Sequence, residues 1–208
     1  GLVRWRADAY HKRYGRYAPA LVAGGGAGAV GVGPPPVSGT AQGVDGVAQR
    51  DAAGRVTGWL GHSYLHARLR LADGRTVRSP VDVTHAVTAV TRTRLGGAFT
   101  LGATARWATG VPATPVVGTT AGAGGRALPV WGTPLADRVP DYARLDVRLS
   151  RAFAVRDRLV SGYVEALNVL DRANASGFAY DAAYRARRPV HTVFAARTLI
   201  VGAELGLP

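Results

Sequence analysis

The chain of 208 residues lacks several residue types and patterns, and each absence narrows its chemistry. It contains no cysteine, which excludes disulfide bonds and thiolate chemistry and is compatible with an oxidising compartment. Nearly all of its 26 basic residues are arginines, because Lys12 is the only lysine. It also lacks an apolar run of the ~18 residues that a membrane-spanning helix needs. A helical membrane protein is therefore disfavoured, whereas a membrane β-barrel, whose strands need only ~10 alternating residues, is not.

Sequence motifs of enzymes are also missing. The chain has no GxSxG nucleophile turn, no HExxH zinc motif and no lysine in a phosphate loop. Residues 26–31 match the glycine pattern of dinucleotide-binding proteins, and Asp45 follows at a suitable distance. Pro34, Pro35 and Pro36 would interrupt the helix whose N-terminus must receive the pyrophosphate, so we interpret this segment as a glycine-rich loop. We expect no enzymatic activity and no cofactor.

The histidines do not form a metal-binding pattern. On a strand, His62 and His66 would lie about 13 Å apart on one face, which is too far for one ion. We therefore expect no metal site at this pair.

The net charge of +13 raises nucleic acid as a partner. The arginines, however, are spread along the whole chain, whereas a phosphate-tracking surface concentrates its charge on one element. We expect no nucleic-acid partner, and a basic soluble nucleic-acid-binding β protein stays as an alternative. The planar guanidinium group of arginine can also form paired hydrogen bonds with the phosphates of lipopolysaccharide at the rim of a membrane protein.

The hairpin from Val139 to Arg172 shows the period-two pattern of β-strands in both of its arms. The first arm alternates apolar with polar residues: Leu145, Val147 and Leu149 against Arg144, Asp146, Arg148 and Ser150. Between the arms, Val155-Arg156-Asp157 is just long enough for a tight reversal. The sequence therefore predicts two antiparallel strands, each with one apolar and one charged face.

Six further segments complete a set of eight strand candidates: Leu2–Tyr14, Gly43–Gln49, Arg55–Leu71, His85–Arg94, Phe99–Trp107 and Thr198–Leu207. Long loops and very short turns alternate between the candidates. The long ones are Tyr17–Gln42, 72–83, Thr109–Asp141 and Asp171–Arg197. This alternation predicts an all-β protein, an antiparallel up-and-down transmembrane β-barrel that is apolar outside and polar inside, with long loops on one rim. A self-contained eight-stranded outer-membrane barrel, acting as an adhesin or a small lipid enzyme, stays as an alternative.

Five segments follow one another in a characteristic order: Gly58–Tyr64, Asp82–His85, Trp107–Pro115, Pro140–Arg148 and Tyr163–Asn174. In this order they resemble the last strands of TonB-dependent outer-membrane receptors. The resemblance implies that residues 1–208 are a fragment, the C-terminal portion of a barrel of about 22 strands, without the N-terminal plug. One departure is the end, Leu205-Gly206-Leu207-Pro208, where family members commonly have an aromatic residue.

The same resemblance implies a function in the bacterial outer membrane. It implies part of a transporter for energy-dependent, TonB-coupled uptake of a scarce ligand such as an iron chelate. The implied partners are outer-membrane lipid and lipopolysaccharide, the TonB complex through the missing plug, and a small-molecule ligand. We expect a monomer.

Four residues are candidates for ligand binding: Arg106, Arg144, Arg148 and Trp131. The three arginines should face the lumen, where charge-assisted hydrogen bonds could hold an anionic or chelated ligand. In the alternative, they pair with carboxylates such as Asp146 and Glu165 across neighbouring strands and hold the barrel wall and the plug together. Trp131 belongs either to a ligand-binding loop or to the membrane interface.

Overall fold

The computed structural model describes residues 2–15, 36–50, 54–156, 158–192 and 195–205. In that part of the chain the protein is all-β, and its paired strands are antiparallel, as the alternation predicts. The strands are β1 (Val3–Gly15), β2 (Pro36–Arg50), β3 (Val56–Leu71), β4 (Thr76–Arg78), β5 (His85–Gly96), β6 (Phe99–Ala108), β7 (Pro112–Ala113), β8 (Val116–Ala121), β9 (Ala127–Trp131), β10 (Asp137–Arg138), β11 (Tyr142–Val155), β12 (Arg158–Leu167), β13 (Ala175–Tyr180), β14 (Arg187–His191) and β15 (Thr198–Leu205). A short 3₁₀ turn spans Ala123–Gly125. No helix in the described ranges is long and apolar enough to cross a membrane.

Eight long strands form one continuous sheet in the order β1-β2-β3-β5-β6-β11-β12-β15. Each pairs with the long strand before it in the chain, which is an up-and-down arrangement. The strands β1 and β15 lie at opposite edges and do not pair with each other. The described strands therefore form an open sheet, with no closed barrel among them.

Short turns lie at one end of this sheet and long connections at the other. The turn between β5 and β6 is Gly97-Ala98, and both residues have positive φ, 55° and 65°, as a tight hairpin turn of the primed type requires. Arg156, with φ of 54°, occupies the turn between β11 and β12. The connections 72–84, 109–141 and 168–197 all lie at the opposite end. The hairpin and the sorting of connections follow the sequence prediction.

The long connections differ from the loops predicted there, because they contain short strands of their own. The pairs β8–β9 and β13–β14 form two small antiparallel sheets, β7 pairs with β10, and β4 adds to the edge of β3. These strands have two to six residues, and prolines at 112, 129 and 189 interrupt any alternation. Such segments carry too little period-two pattern to be recognised.

The second strand begins earlier than predicted, at Pro36 instead of Gly43. Its first half pairs with β1 on one side and β3 on the other. Gly39, Thr40 and Ala41 do not alternate between apolar and polar types. Side-chain alternation therefore could not reveal that the backbone of these residues is paired. The rest of the predicted loop, including the glycine motif at 26–31, lies outside the described residues.

The strand pairing divides the side chains of the long sheet between two faces, because directly paired residues point to the same side. Odd-numbered residues of β1, β5, β6, β11 and β15 share a face with even-numbered residues of β2, β3 and β12. We call this the apolar face; its large hydrophobic side chains are exposed, as Trp5 (79%) and Val201 (78%) illustrate. The opposite side is the polar face.

In the second half of β3, residues 65–71, the apolar and polar side chains lie on the opposite faces from those expected. Its apolar residues, including Leu69 and Leu71, lie on the polar face, where they are buried with Val77 of β4. Its polar residues, including His66 and Arg68, lie on the apolar face. This half of β3 therefore departs from the predicted pattern of one apolar and one polar face of the sheet, because Val77 of the connection 72–84 is buried together with Leu69 and Leu71 on the polar face.

Candidate ligand-binding surface

The polar face carries more basic than acidic side chains. The basic ones are Arg4, Arg6, Lys12, Arg92, Arg94, Arg106, Arg144 and Arg148, and the acidic ones are Asp8, Asp45, Asp146, Glu165 and Glu204. The excess of guanidinium groups suits anionic or carboxylate-bearing groups.

Two of the predicted arginines share one carboxylate. Arg144 on β11 lies directly opposite Arg106 on β6, which would place two like charges side by side. Asp146 lies between them: Nε of Arg144 donates to its Oδ1 at 2.7 Å, and Nη1 of Arg106 is 3.6 Å from its Oδ2. The backbone N–H of Asn168 also donates to Asp146, at 2.8 Å. The carboxylate thus holds both guanidinium groups in place, and the side chain of Arg106 stays half exposed.

The third predicted arginine reaches across a strand. Nη2 of Arg148 on β11 donates to Oε1 of Glu204 on β15 at 2.6 Å, and its guanidinium lies 3.6 Å from the ring centre of Tyr163 on β12. The Tyr163 ring lies over Gly202, where a Cβ atom would approach the ring to 2.5 Å. Glycine at position 202 therefore makes room for the ring that supports Arg148.

An open depression of about 370 Å³ adjoins this ion pair. It is lined by Arg92, Thr100, Gly102, Arg148, Ser150, Ser161 and Glu204. The lining combines guanidinium groups with hydroxyl groups, which is the donor set that an anionic ligand or an acidic protein segment would use.

Trp131 lies apart from the three arginines, at the end of β9 within the long connections. Its indole packs edge-on against Tyr180 of β13, with ring centres 6.4 Å apart, and Tyr180 packs in turn against Tyr184 at 6.0 Å. The hydroxyl of Tyr180 accepts a hydrogen bond from the backbone N–H of Val116 at 3.4 Å. This aromatic cluster joins the β8–β9 and β13–β14 sheets. It is the kind of surface on which a flat or apolar part of a ligand packs.

An ion pair that the sequence analysis missed ties the long connections together. Arg138 donates from Nη1 to the backbone carbonyls of Asp82 and Gly110, both at 2.7 Å, and from Nη2 to Oδ1 of Asp82 at 2.9 Å and Oγ1 of Thr84 at 2.7 Å. Asp82 is 1% exposed and also accepts from the N–H of Ala67 at 3.0 Å.

These contacts change the titration of Asp82. Burial alone would raise the pKa of the carboxyl, but the hydrogen bonds from Ala67, Thr84 and Arg138, with the positive charge of Arg138, lower the pKa below its ordinary value. Asp82 and Thr84 belong to a segment that the sequence analysis singled out, but nothing in the sequence links that segment to Arg138.

Two buried asparagines hold the connection 168–197 against the sheet. Oδ1 of Asn174 accepts from the N–H of Ala143, and its Nδ2 donates to the carbonyl of the same residue, both at 2.9 Å. The side chain thus takes the place of a strand at the end of β11. Asn168 is fully buried, and its Nδ2 donates to the carbonyls of Arg172 and Ala195 at 3.1 and 3.0 Å. Both residues secure backbone, so we interpret them as structural.

The histidines pair differently from the spacing considered in the sequence. Nε2 of His62 lies 3.2 Å from Nδ1 of His85 on the next strand, and Nε2 of His66 accepts from Nε of Arg68 at 3.1 Å. Within the described residues, no three His, Cys, Asp or Glu side chains are grouped in a way that could hold a metal ion. The groups available for ligand binding are therefore mainly the guanidinium groups of the polar face and the aromatic rings of the long connections.

No protein-family model matches the chain, and no curated protein matches it.

Proposed function

We propose that the chain forms part of the wall of an outer-membrane β-barrel, in a transporter that takes up a scarce ligand such as an iron chelate by TonB-coupled, energy-dependent transport. The observation that carries the membrane part is the distribution of charge on the apolar face. In the described residues of the eight long strands that face has no carboxylate, and its charged residues are Arg13, Arg68 and Arg70 towards the long connections and Arg50, Arg151 and Arg158 towards the short turns. Arg78 of β4, which pairs with Arg68, adds a further arginine at the long-connection end. An uncharged zone flanked by arginines fits a lipid bilayer.

The width of the uncharged zone fits the same proposal. Arg50 pairs with Gly58, and Arg68 lies ten positions after Gly58 along β3. At ~3.3 Å per residue this is about 33 Å along the strand, and a strand tilt of about 40° reduces it to about 25 Å across the membrane. Outer-membrane barrels have an apolar band about 25 Å tall.

Aromatic side chains occur near both limits of the zone on the apolar face. Tyr64 and Trp107 lie towards the long connections, and Phe99 and Phe153 lie towards the short turns. Aromatic girdles at the two interfaces are a feature of membrane barrels.

The open edges of the sheet favour a larger barrel over the eight-stranded alternative. An eight-stranded barrel would close by pairing β1 with β15, and this pairing is absent. In a bilayer, the unpaired backbone groups of both edges would each cost several kcal/mol. Further strands between the two edges would satisfy these groups, as the resemblance to TonB-dependent receptors implies.

The transport part of the proposal has two supports. The first is the ordered resemblance of five segments to TonB-dependent receptors. The second is the position of the binding groups, since the polar face would line the lumen and the Trp131–Tyr180–Tyr184 cluster would lie in the long connections outside. A ligand would meet the aromatic cluster first and the arginines of the polar face afterwards.

The membrane position is testable because the chain has no cysteine. Single cysteines at Val147, Arg148, Leu149 and Ser150 of β11, introduced into the intact protein, would carry an environment-sensitive fluorophore in bilayers that contain brominated lipid. We expect strong quenching at 147 and 149 and weak quenching at 148 and 150. Quenching that does not alternate would contradict the assignment of the apolar face to lipid.

The transport activity calls for an uptake assay in cells that produce the intact protein. Labelled ferric chelates, cobalamin and oligosaccharides would be supplied with and without an uncoupler of the proton gradient. We expect uptake of one ligand class that the uncoupler abolishes, a reduced rate for Trp131→Ala, and an unchanged rate for Trp5→Phe, which lies on the apolar face. Uptake of all three classes that is unaffected by gene deletion would refute the proposal.

A further inference from the structure

We propose that a group of basic side chains at the long-connection end of the apolar face binds the phosphate groups of a lipid headgroup. We call this group the basic rim patch; it consists of His11, Arg13, His66, Arg68 and Arg70. The inference rests on the proposed membrane position of the sheet and names a specific lipid partner for it. The ligand is a lipid that carries more than one phosphate group, as lipid A does.

The strand register brings the patch together. His11 on β1, Gln42 on β2 and His66 on β3 lie in one row, and Arg13, Thr40 and Arg68 lie in the next row. With one strand between them, the backbones at Arg13 and Arg68 are about 10 Å apart, because neighbouring strands are ~4.8 Å apart. Arg70 lies one pleat beyond Arg68, about 7 Å along the strand. Three guanidinium groups therefore share one area that a headgroup with two phosphates can span.

Both strands orient their arginine in the same way. Nε of Arg13 donates to Nε2 of His11 at 3.3 Å, and Nε of Arg68 donates to Nε2 of His66 at 3.1 Å. Each imidazole thus fixes the inner nitrogen of a guanidinium. Terminal guanidinium nitrogens are the groups that form paired hydrogen bonds with phosphate oxygens.

No carboxylate in the described part of the chain pairs with these three arginines. Among the described residues, the ion pairs of the chain involve other basic side chains, and Arg13, Arg68 and Arg70 take part in none. Elsewhere in the same part of the chain, arginines such as Arg138 and Arg148 do pair with acidic residues. Positive charge left without a carboxylate on one face calls for an anionic partner from outside the sheet.

The position of the basic rim patch beside the uncharged zone favours a lipid headgroup over a soluble anion as its ligand. The arginines of the patch mark one limit of the uncharged zone of the apolar face, and Ala9 and Val44 lie in the row directly below His11 and His66. Acyl chains that lie against this zone place their headgroup at the height of the patch. The arginines at the other end of the face, at positions 50, 151 and 158, are distributed over β2, β11 and β12 and form no such group.

The experiment measures lipid binding to the intact protein in a neutral detergent. The probes are bis-phosphorylated lipid A, the same lipid without its phosphates, and inorganic phosphate. The test variant is R13Q/R68Q/R70Q, and the matched control is R50Q/R151Q/R158Q, which removes the same charge from the opposite end of the same face. The single variant R70Q removes an exposed side chain with no described hydrogen bond, so it leaves the packing intact.

We expect the triple variant to bind bis-phosphorylated lipid A about a hundredfold more weakly and R70Q about fivefold more weakly, on the basis of about 1 kcal/mol per arginine near a charged lipid surface. The control triple should bind like the unmodified protein, and the dephosphorylated lipid should not distinguish the variants. Unchanged binding by R70Q and the triple variant would overturn the proposal. Displacement of the lipid by millimolar inorganic phosphate would also overturn it, since the site would then be a phosphate site.

The fluorescence quenching pattern on β11 separates this inference from the proposed function. Alternating quenching in the triple variant shows that it is folded in the bilayer, so unchanged lipid binding would then refute the patch alone. Absence of alternation in the unmodified protein would refute the membrane position itself.

Discussion

Replacing Arg138 with methionine should lower the free energy of unfolding by about 3 kcal/mol. Methionine fills much of the same volume but removes four hydrogen bonds and the only described ion-pair partner of Asp82. Loss of one partner from a buried ion pair costs about 3–5 kcal/mol, because the other charge stays buried. The lower value applies here because the Arg138 side chain is 26% exposed and Asp82 keeps its bonds to Ala67 and Thr84.

The same ion pair predicts a direction for the pH dependence. The pKa of Asp82 is lower in the folded than in the unfolded chain, so its ionised form stabilises the fold above the ordinary carboxyl pKa of about 3.9. This contribution is lost as the pH falls from there through the lowered pKa of the folded state. Removal of Arg138 also raises the pKa of Asp82 in the folded variant, because burial then acts with less compensation. The difference between Arg138→Met and the unmodified protein should therefore be largest near pH 7 and shrink as the pH falls through the pKa of Asp82 in the folded variant.

Urea unfolding of the intact protein in a lipid bilayer, followed by tryptophan fluorescence from pH 7 to pH 3, measures both effects. Arg126→Met is the matched control, since Arg126 is exposed and its side chain has no described hydrogen bond; we expect a change within about 0.5 kcal/mol. A loss of less than about 1 kcal/mol for Arg138→Met, or an equal loss for the control, would refute the reasoning.

Two further substitutions test how the long connections are held. Gly110→Ala would place a Cβ atom 1.5 Å from the carbonyl oxygen of Val139, and because backbone must move, we expect a loss of about 3 kcal/mol or more in urea unfolding. Gly118→Ala, whose Cβ would meet nothing closer than 3.9 Å, should change stability by less than about 0.5 kcal/mol; similar losses in both would contradict the steric argument. Asn174→Leu leaves both backbone groups of Ala143 without their partner, which costs about 1–3 kcal/mol each if they stay dry, and limited proteolysis should cleave the connection 168–197 faster. An unchanged cleavage rate would argue against this role for Asn174.

The strands could be predicted wherever side chains alternate in type. Phe99–Ala108 has an apolar residue at every second position up to Trp107, and its predicted and observed limits agree closely. The hairpin predicted between Val139 and Arg172 contains the strands Tyr142–Val155 and Arg158–Leu167. Strand β2 could not be delimited, because the backbone pairing of Gly39 to Ala41 has no counterpart in side-chain type. The short strands of the long connections were missed because they have only two to six residues and prolines interrupt the alternation of several of them.

The candidate binding residues were predictable as types and faces but not as contacts. Alternation put Arg106, Arg144 and Arg148 on one face, and the structure places them there. The sequence analysis offered Asp146 and Glu165 as carboxylate partners, and Asp146 does pair with Arg106 and Arg144. It could not show that one carboxylate holds both arginines, or that the described ion pair of Arg148 is with Glu204, more than fifty residues away in the chain. Partner choice depends on strand register, which long-range pairing sets.

The sequence by itself determined that the chain forms long two-faced strands with tight turns at one end, because period-two alternation and turn residues are local properties. Only the tertiary structure decided what each face meets. It buried Leu69 and Leu71 of β3 together with Val77 of the connection 72–84. It also joined Arg138 to Asp82 across 56 residues and placed three arginines close together at the limit of the uncharged zone. These outcomes depend on which strands become neighbours and on which backbone and charged groups must be satisfied once water is excluded, and neither is written in any single segment.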